Sequence, residues 1–335
     1  MICPAKSRNQ MNHFFIKARK EIDRAKRILL VTHLNPDGDA VASVCAMIDY
    51  LESKKKKYLA FCHTPLAEIF KSIPHAGKIK NSEEINFENN GLLDGFDLIL
   101  VFDCAEKGRT TIARLIGSRP LSQKVIEFDH HPGVENYAEI ELRDPLASST
   151  TEIVYNFFKA NGEEISPKAA TCILTGIITD TGAFLYPSAS LKTIKISSEM
   201  LLSGACHAKI VDKFLRNKSL SALRSWGNIL DNMLINRKYN IAVAVLTYEE
   251  FTEKNISEEE YEGLSGFIGN LSGVRAVLFL RQTEPEIIRG SLRASSPGKD
   301  VFPLARLLGG GGHKNAAGFS LKGRLLASSD GWKIT

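Results

Sequence analysis

The stretch RILLVTHLNPDGDA, residues 27–40, joins an apolar run to a polar loop that carries one histidine and two carboxylates. Pro36 and Gly38 favour a tight turn, and the simplest interpretation is that the loop only ends a strand. That interpretation leaves Asp37 and Asp39 unexplained, because carboxylates held close together repel one another unless a cation or a shared proton compensates. We therefore expect further ligands elsewhere in the chain.

Apolar runs alternate with helix-like segments through the first half of the chain. The runs are RILLV, YLAFC, DLILVF and KVIEF, at residues 27–31, 58–62, 97–102 and 124–128. Such alternation is typical of βα units, so the sequence predicts an α/β fold with a mostly parallel sheet and flanking helices.

Titratable side chains follow three of these predicted strands. ILLV leads towards His33, ILVF into Asp103, and VIEF into Asp129, His130 and His131. In open α/β sheets, ligands bind outside the carboxyl ends of the strands. The sequence therefore predicts a functional site at this edge of the sheet.

The length of 335 residues exceeds that of a usual single domain and predicts two. We expect a metal-bearing domain over 1–189, a helical linker over 190–236, and a smaller α/β domain over 237–335. In the first domain, Ser149 and Glu152 predict a capping box that opens a helix through Ala160. A second helix is expected over 167–179, directly before Asp180.

The bulk composition excludes several classes of protein. No apolar run approaches the roughly 18 residues of a membrane span, and the N-terminus lacks the apolar core of a secretory signal, so we expect a cytoplasmic protein. The six cysteines show no C-x-x-C spacing, which argues against a zinc knot or a disulfide framework. A net charge of +5 permits an anionic substrate but is weaker than stable duplex-DNA binding requires.

The polar strand ends and the IITDTGAF junction supply one set of candidate ligands. Its members are His33, Asp37, Asp39, Asp103, His130, His131 and Asp180. Carboxylates and imidazoles without a thiolate suit Mn²⁺, with Mg²⁺ or another divalent ion as the alternative. The number of carboxylates exceeds the need of one catalytic ion, whereas two ions that share a carboxylate would clamp both oxygens of a displacement at phosphorus. Phosphate ester hydrolysis is the expected chemistry.

A second candidate set lies mostly in the C-terminal half. Gly310, Gly311 and Gly312, followed by His313, can present backbone N–H groups to an anion, although a flexible loop or a helix stop after Leu308 explains the glycines equally well. Arginine matches phosphate bidentately, so Arg293, and Arg109 in the first half, are expected to bind substrate. Arg289 is expected to be a surface residue.

Five segments resemble the motifs of a known superfamily. THLNPDGDA, VFDCA, FDHH and TDTG resemble the four motifs of the DHH phosphoesterases, and GGGGHKNAAGF resembles the signature of the companion DHHA1 domain. The resemblance implies a set of ligands for two metal ions: His33 and Asp37 for one, Asp39, His130 and Asp180 for the other, and Asp103 as the bridge.

The resemblance also implies roles around the metal ions. His131 would lie beside the scissile phosphate, and Asp129 would orient His130. The glycines and His313 would bind phosphate, and Arg293 would face the rest of the nucleotide. Two positions depart from the usual pattern: Ala42 after the first motif, where many members have glycine, and Leu185 after TDTG, where many members carry a basic residue that would contact phosphate or substrate.

The compact length resembles the bacterial oligoribonuclease branch that also acts on 3′-phosphoadenosine 5′-phosphate (pAp). The resemblance implies a Mn²⁺-dependent hydrolase of short single-stranded oligoribonucleotides and pAp, acting by two-metal-activated hydroxide attack. One alternative is a phosphodiesterase for cyclic or linear dinucleotides. The other is a non-catalytic nucleotide-binding protein, which would be expected to lack some ligands that are present here. A homodimer is left open.

Overall fold

The structure is a computed structural model that divides into two compact units, Met1–Arg216 and Asn217–Thr335. It describes residues 8–85, 95–132, 136–216, 218–253, 261, 263–296, 298–312, 314–328 and 331–335. His313, one of the predicted substrate contacts, lies outside the described residues. Among the described helices, none is long and apolar enough to cross a membrane.

Unit 1 is built on a parallel sheet, as the alternating apolar runs predict. Its strands are β1 (Arg27–Thr32), β2 (Lys57–Phe61), β3 (Ile79–Lys80), β4 (Leu98–Phe102), β5 (Lys124–Asp129) and β6 (Ile140–Arg143). They pair in the order β3-β2-β1-β4-β5-β6, and every pairing is parallel. All residues of β4 are buried, as expected of a central strand covered on both faces.

Helices cover this sheet on its two faces. They are α1 (Arg8–Arg24), α2 (Gly38–Ser53), α3 (Ala113–Ser118), α4 (Thr150–Ala160), α5 (Pro167–Asp180), α6 (Leu191–Leu202) and α7 (His207–Ile210). Successive side chains of a strand point to opposite faces, so Ile28 and Leu30 join the larger apolar core while Leu29 and Val31 join the smaller one. Apolar runs without alternation follow directly from this double coverage.

The helix that follows β6 begins where the sequence predicts, but its capping differs in one contact. The Ser149 hydroxyl accepts a hydrogen bond from the Glu152 backbone N–H, as an N-cap should. The Glu152 carboxylate accepts bonds from the backbone N–H and the hydroxyl of Ser148, at 3.1 and 2.8 Å. Ser148, the residue before the N-cap, is buried. The Glu152 carboxylate therefore supplies the hydrogen-bond acceptor that its backbone N–H and hydroxyl need.

Unit 2 is a smaller α/β unit, as predicted. Its main sheet has the order β11-β12-β10-β9-β8-β7, in which β8 and β9 run parallel and the other pairs antiparallel. The strands of this sheet and of a C-terminal hairpin are β7 (Leu234–Asn236), β8 (Ile241–Leu246), β9 (Ala276–Glu284), β10 (Ile287–Ala294), β11 (Gly311–Gly312), β12 (Ala316–Lys322), β13 (Leu325–Ser328) and β14 (Gly331–Ile334). The helices are α8 (Leu220–Asp231), α9 (Tyr248–Glu253), α10 (Leu264–Ile268) and α11 (Phe302–Leu307).

The segment predicted as a linker, 190–236, spans the division between the units. Its described part holds α6, α7 and a π-helical turn at Val211–Leu215 in unit 1, and α8 and β7 in unit 2. The proposed boundaries at 189 and 236 stay a prediction.

Candidate metal centre

The seven predicted ligands of the first set meet at the carboxyl ends of β1, β4 and β5. Their ligand atoms form three overlapping groups, each with atoms within 4.8 Å of one another: His33, Asp37 and Asp103; Asp39, His130 and Asp180; and Asp103, His130 and His131. The pairing of Thr32 with Phe102 and of Phe102 with Phe128 explains this proximity, because it brings the ends of three neighbouring strands to the same level.

The surroundings of the His33 ring favour the binding of a cation at one of its nitrogens. Its Nδ1 lies 2.8 Å from the Leu34 carbonyl oxygen, which can only accept, so Nδ1 is the protonated nitrogen. Nε2 is buried without a hydrogen-bond partner among the described residues and lies 3.8 Å from Asp103 Oδ2. When His33 is neutral, two atoms with lone pairs face each other across this gap. A metal ion between them would remove the repulsion, and the carbonyl bond to the other ring nitrogen is usual for a ligating histidine.

The two carboxylates of the opening loop occupy different surroundings. Asp37 is exposed and is the N-cap of α2, where its Oδ1 accepts bonds from the backbone N–H groups of Asp39 and Ala40. Asp39 is buried against the N-terminus of α4. Its Oδ1 accepts from the backbone and hydroxyl of Thr151, and its Oδ2 from the backbone N–H of Thr150 at 2.6 Å. One lone pair of Oδ2 is left for a cation.

The N-terminus of α4 is a part of the site that the sequence analysis missed. Besides its contacts with Asp39, Thr150 donates its hydroxyl to Asp103 Oδ1 at 2.9 Å. The positive end of a helix dipole favours negative charge at this position. The available signal was the run SSTT at residues 148–151, where the helix begins, but that run also fits an ordinary N-cap.

Burial and crowding change the pKa values of the acidic groups. Burial, together with Asp103 and Asp37, raises the pKa of Asp39 well above its usual value. Burial, together with Asp39 and Asp37, likewise raises the pKa of Asp180. For Asp103, burial also favours the neutral form, but the surrounding histidines outweigh it and hold its pKa well below the usual value. The cluster as a whole resists full ionisation without added positive charge.

The pKa values of the two adjacent histidines are shifted in opposite directions. Burial and the neighbouring His131 lower the pKa of His130, which favours the neutral form that ligation needs. Its Nε2 lies 3.5 Å from Asp103 Oδ1 and 3.6 Å from Asp180 Oδ2. Burial alone would lower the pKa of His131, but Asp129 and Asp103 outweigh it and raise that pKa. Asp129 accepts bonds from the backbone and Nδ1 of His131. That Asp129 also orients His130 stays a prediction.

The turn after α5 places Asp180 at the end of a helix and then reverses the chain. Gly182, Ala183 and Phe184 follow with φ of 55°, 57° and 69°, three consecutive residues in the left-handed region. The hydroxyl of Thr181 accepts the backbone N–H of Phe184 at 3.0 Å and holds the turn. Leu185, which departs from the family pattern, is exposed.

The predicted substrate contacts are divided between the units. Arg109 belongs to a 3₁₀ turn, Lys107–Thr110. Its backbone carbonyl accepts a hydrogen bond from the backbone N–H of Leu34, the residue after His33, at 3.1 Å. Arg293 lies on β10 in unit 2 and donates to the Ser265 hydroxyl at 3.1 Å. Arg289 is partly exposed and pairs with Glu284 at 2.7 Å.

The glycine run follows the end of α11 and then forms an edge strand. Gly309 has a φ of 75° and turns the chain after the helix, while Gly311 and Gly312 pair with β12. A Cβ at Gly310 would lie 2.0 Å from the Gly318 carbonyl oxygen, so this position requires glycine for close packing of the backbone. The helix-stop interpretation is thus correct for the start of the run, and anion binding stays a prediction.

Comparison with known proteins assigns the chain to a class. A family model for the DHH family, N-terminal domain, matches residues 27–177, and a model for the DHHA1 domain matches residues 238–329. A relative that is 30% identical extends over 88% of the chain. The protein belongs to the DHH phosphoesterase family and is a hydrolase.

Among its relatives is the bifunctional oligoribonuclease and PAP phosphatase NrnA of Bacillus subtilis. The two are 30% identical over 299 residues, which cover 88% of this chain and 89% of the relative. An exopolyphosphatase-related protein from Bacteroides fragilis has a similar structure, with a TM-score of 0.83, 30% identity, and coverage of 92% and 90% of the two chains. RecJ from Thermus thermophilus, solved with Mn²⁺, is 14% identical with a TM-score of 0.51 over 96% of this chain and 53% of its own, and shares the fold.

The packing around Asp39 predicts a strong effect of one added methyl group. A Cβ at Gly176 on α5 would lie 2.5 Å from Asp39 Oδ1 and 2.4 Å from the Thr151 side chain. Gly176→Ala should therefore lower the free energy of unfolding by about 1–3 kcal/mol, measured by urea denaturation. The control is Gly117→Ala on α3, where the nearest heavy atom, Lys107 Nζ, is 3.9 Å away. The control should gain about 0.5–1 kcal/mol, and equal stability of the two variants would contradict this account.

Proposed function

We propose that the protein is a Mn²⁺-dependent phosphoesterase that hydrolyses short oligoribonucleotides and pAp by two-metal-activated hydroxide attack. The observation that carries the proposal is the position of Asp103. Its Oδ2 lies 3.8 Å from His33 Nε2 and its Oδ1 lies 3.5 Å from His130 Nε2, so one carboxylate faces both histidines with different oxygens. This geometry supports a carboxylate shared between two ions.

The proposed ligand sets follow from this arrangement. Asp37 and His33 would complete the site on the Oδ2 side of Asp103, and the second ion would be held on the Oδ1 side. The ligands of this second ion would be Asp39, His130 and Asp180. Bound divalent ions would polarise the phosphate and lower the pKa of the attacking water. The Asp39 hydrogen bonds to α4 fix its carboxylate plane, so its free lone pair has a defined direction.

The remaining polar groups have proposed roles towards the substrate. Asp129 holds Nδ1 of His131 at 2.8 Å and so fixes the orientation of the ring, and His131 would contact a phosphate oxygen. Arg109 is carried by a turn bonded to the residue after His33, and it would bind a second phosphate bidentately. In unit 2, Arg293 and the glycines of 310–312 are proposed nucleotide contacts.

The choice of substrate rests on the relatives rather than on the metal centre. The Bacillus subtilis relative is named as acting on oligoribonucleotides and PAP, and it matches this chain along most of its length. Its two substrates share a phosphate ester next to a nucleoside. A cytoplasmic location fits such substrates and stays part of the proposal.

Substitution of single proposed ligands should distinguish the two proposed ion-binding sites from each other. Asp37→Ala and Asp180→Ala should each remove one of two Mn²⁺ binding events in titration calorimetry, and Asp103→Ala should weaken both, because its carboxylate faces both histidines. Asp97→Ala is the matched control, since Asp97 lies just before β4 and accepts bonds from the backbone N–H groups of Lys26 and Arg27. Retention of both binding events in Asp103→Ala would exclude a shared carboxylate.

A substrate panel tests the proposed specificity. Protein freed of metal by a chelator should be inactive and should regain hydrolysis when Mn²⁺ is added. It should act on pAp and on RNA of two to five nucleotides more rapidly than on matched DNA or on cyclic di-AMP, as followed by chromatography of the products. A preference for cyclic di-AMP would replace the proposal with a cyclic dinucleotide phosphodiesterase, and inactivity on every substrate would favour a nucleotide-binding protein.

A further inference from the structure

A buried arginine connects the two loops that carry Asp103 and His130. Arg143 is the last residue of β6, is 8% exposed, and is paired in the sheet with Asp129. Its Nη1 donates to the carbonyl oxygens of Ala105 and Pro132, at 3.1 and 3.3 Å. Ala105 lies two residues after Asp103, and Pro132 lies two residues after His130. One guanidinium nitrogen therefore binds both loops.

The loop after β4 needs such a restraint. Asp103 and Ala105 both have a φ of 59°, in the left-handed region that residues with a Cβ rarely adopt. This backbone persists only where the surroundings hold it in place. The Ala105 backbone N–H donates to Asp129 Oδ2 at 2.5 Å, and its carbonyl accepts from Arg143. Both backbone polar groups of the strained residue are thus held by buried charged side chains.

A second buried charge fixes the guanidinium itself. Nε and Nη2 of Arg143 donate to Glu127 Oε2 at 3.1 and 2.5 Å, and Glu127 is fully buried on β5. A buried ion pair often adds no more stability than a well-packed apolar pair, because desolvation of the two charges offsets their attraction. A contribution to the free energy of unfolding is therefore a weak explanation for the presence of this pair. Its geometry, in contrast, leaves Nη1 directed at the two loop carbonyls.

We propose that Arg143, with its guanidinium held by Glu127, is a positioning residue for the metal centre. It sets the distance between Asp103 and His130, on which a shared carboxylate depends. This inference rests on the proposed two-metal site, but it concerns residues that no ligand motif includes. Neither Arg143 nor Glu127 is a member of the three groups of candidate ligands.

The test compares the Glu127/Arg143 pair with a second ion pair of unit 1, Arg119/Glu139, which lies outside the strands. Glu127→Leu with Arg143→Met removes both charges without leaving one of them unpaired. The control is Arg119→Met with Glu139→Leu, because Arg119 also binds a glutamate, at 2.5 Å, and the carbonyl oxygens of Ile116, Gln123 and Tyr137. Gln123 lies just before β5, at the opposite end of the strand from the metal centre.

Three measurements on the full-length protein separate positioning from general stability. They are the Tm of the metal-free protein, the Mn²⁺ affinity by calorimetry, and the magnetic coupling of bound Mn²⁺ by electron paramagnetic resonance. We expect the Glu127/Arg143 double variant to bind Mn²⁺ about 10–100-fold more weakly and to lose the coupling. The Arg119/Glu139 control should keep native affinity and coupling whatever its Tm.

Arg143→Lys provides a second variant if the double variant does not fold. Lysine keeps the charge beside Glu127 but lacks the planar fork that reaches Glu127 and both loop carbonyls together, so we expect a folded protein with weakened Mn²⁺ binding. Native affinity and coupling in either folded variant would overturn the inference alone. If the protein without substitutions bound no Mn²⁺, that result would overturn the proposed function, and this inference with it.

Discussion

Repulsion among buried carboxylates is the constraint on which the first unit depends. Asp39, Asp103 and Asp180 converge with Asp37 at one edge of the sheet, and burial raises the pKa of two of them. The protein offsets part of this repulsion with three histidines and with the N-terminus of α4. Nε2 of His33 has no hydrogen-bond partner in the part of the chain that the structure describes. The cluster therefore fits added cations better than a network of hydrogen bonds.

The supporting structure around the cluster follows from the same constraint. Residues that carry charge inside a protein need fixed partners, and here the partners are backbone groups and hydroxyls of neighbouring elements. Thr150 and Thr151 hold Asp39 and Asp103, while Asp129 and Arg143 hold the loops that follow β4 and β5. The site is thus continuous with the core of unit 1 and is not confined to flexible surface loops.

The sequence was sufficient to predict the parallel sheet, the helix that Ser149 opens and that ends at Ala160, the helix at 167–179, and the grouping of the seven ligand candidates. These features depend on local patterns and on the rule that parallel strands end at one edge. Thr150, Glu127 and Arg143 were not predicted as parts of the site, because their roles depend on contacts between residues 11 to 111 positions apart. A buried Glu–Arg pair has no sequence pattern of its own, and the glycine run could be interpreted only when its pairing with β12 was known.

The candidate ligands are spread from His33 to Asp180, on three strand ends and two helix ends. No short fragment of unit 1 carries the complete set, and the unfolded chain cannot bring it together. An ion that binds here therefore binds the native state more tightly than the unfolded chain, so the free energy of unfolding rises with the logarithm of the free ion concentration once that concentration exceeds Kd. Resistance to proteolysis and to heat would then vary with the supply of divalent metal, even in the absence of any substrate.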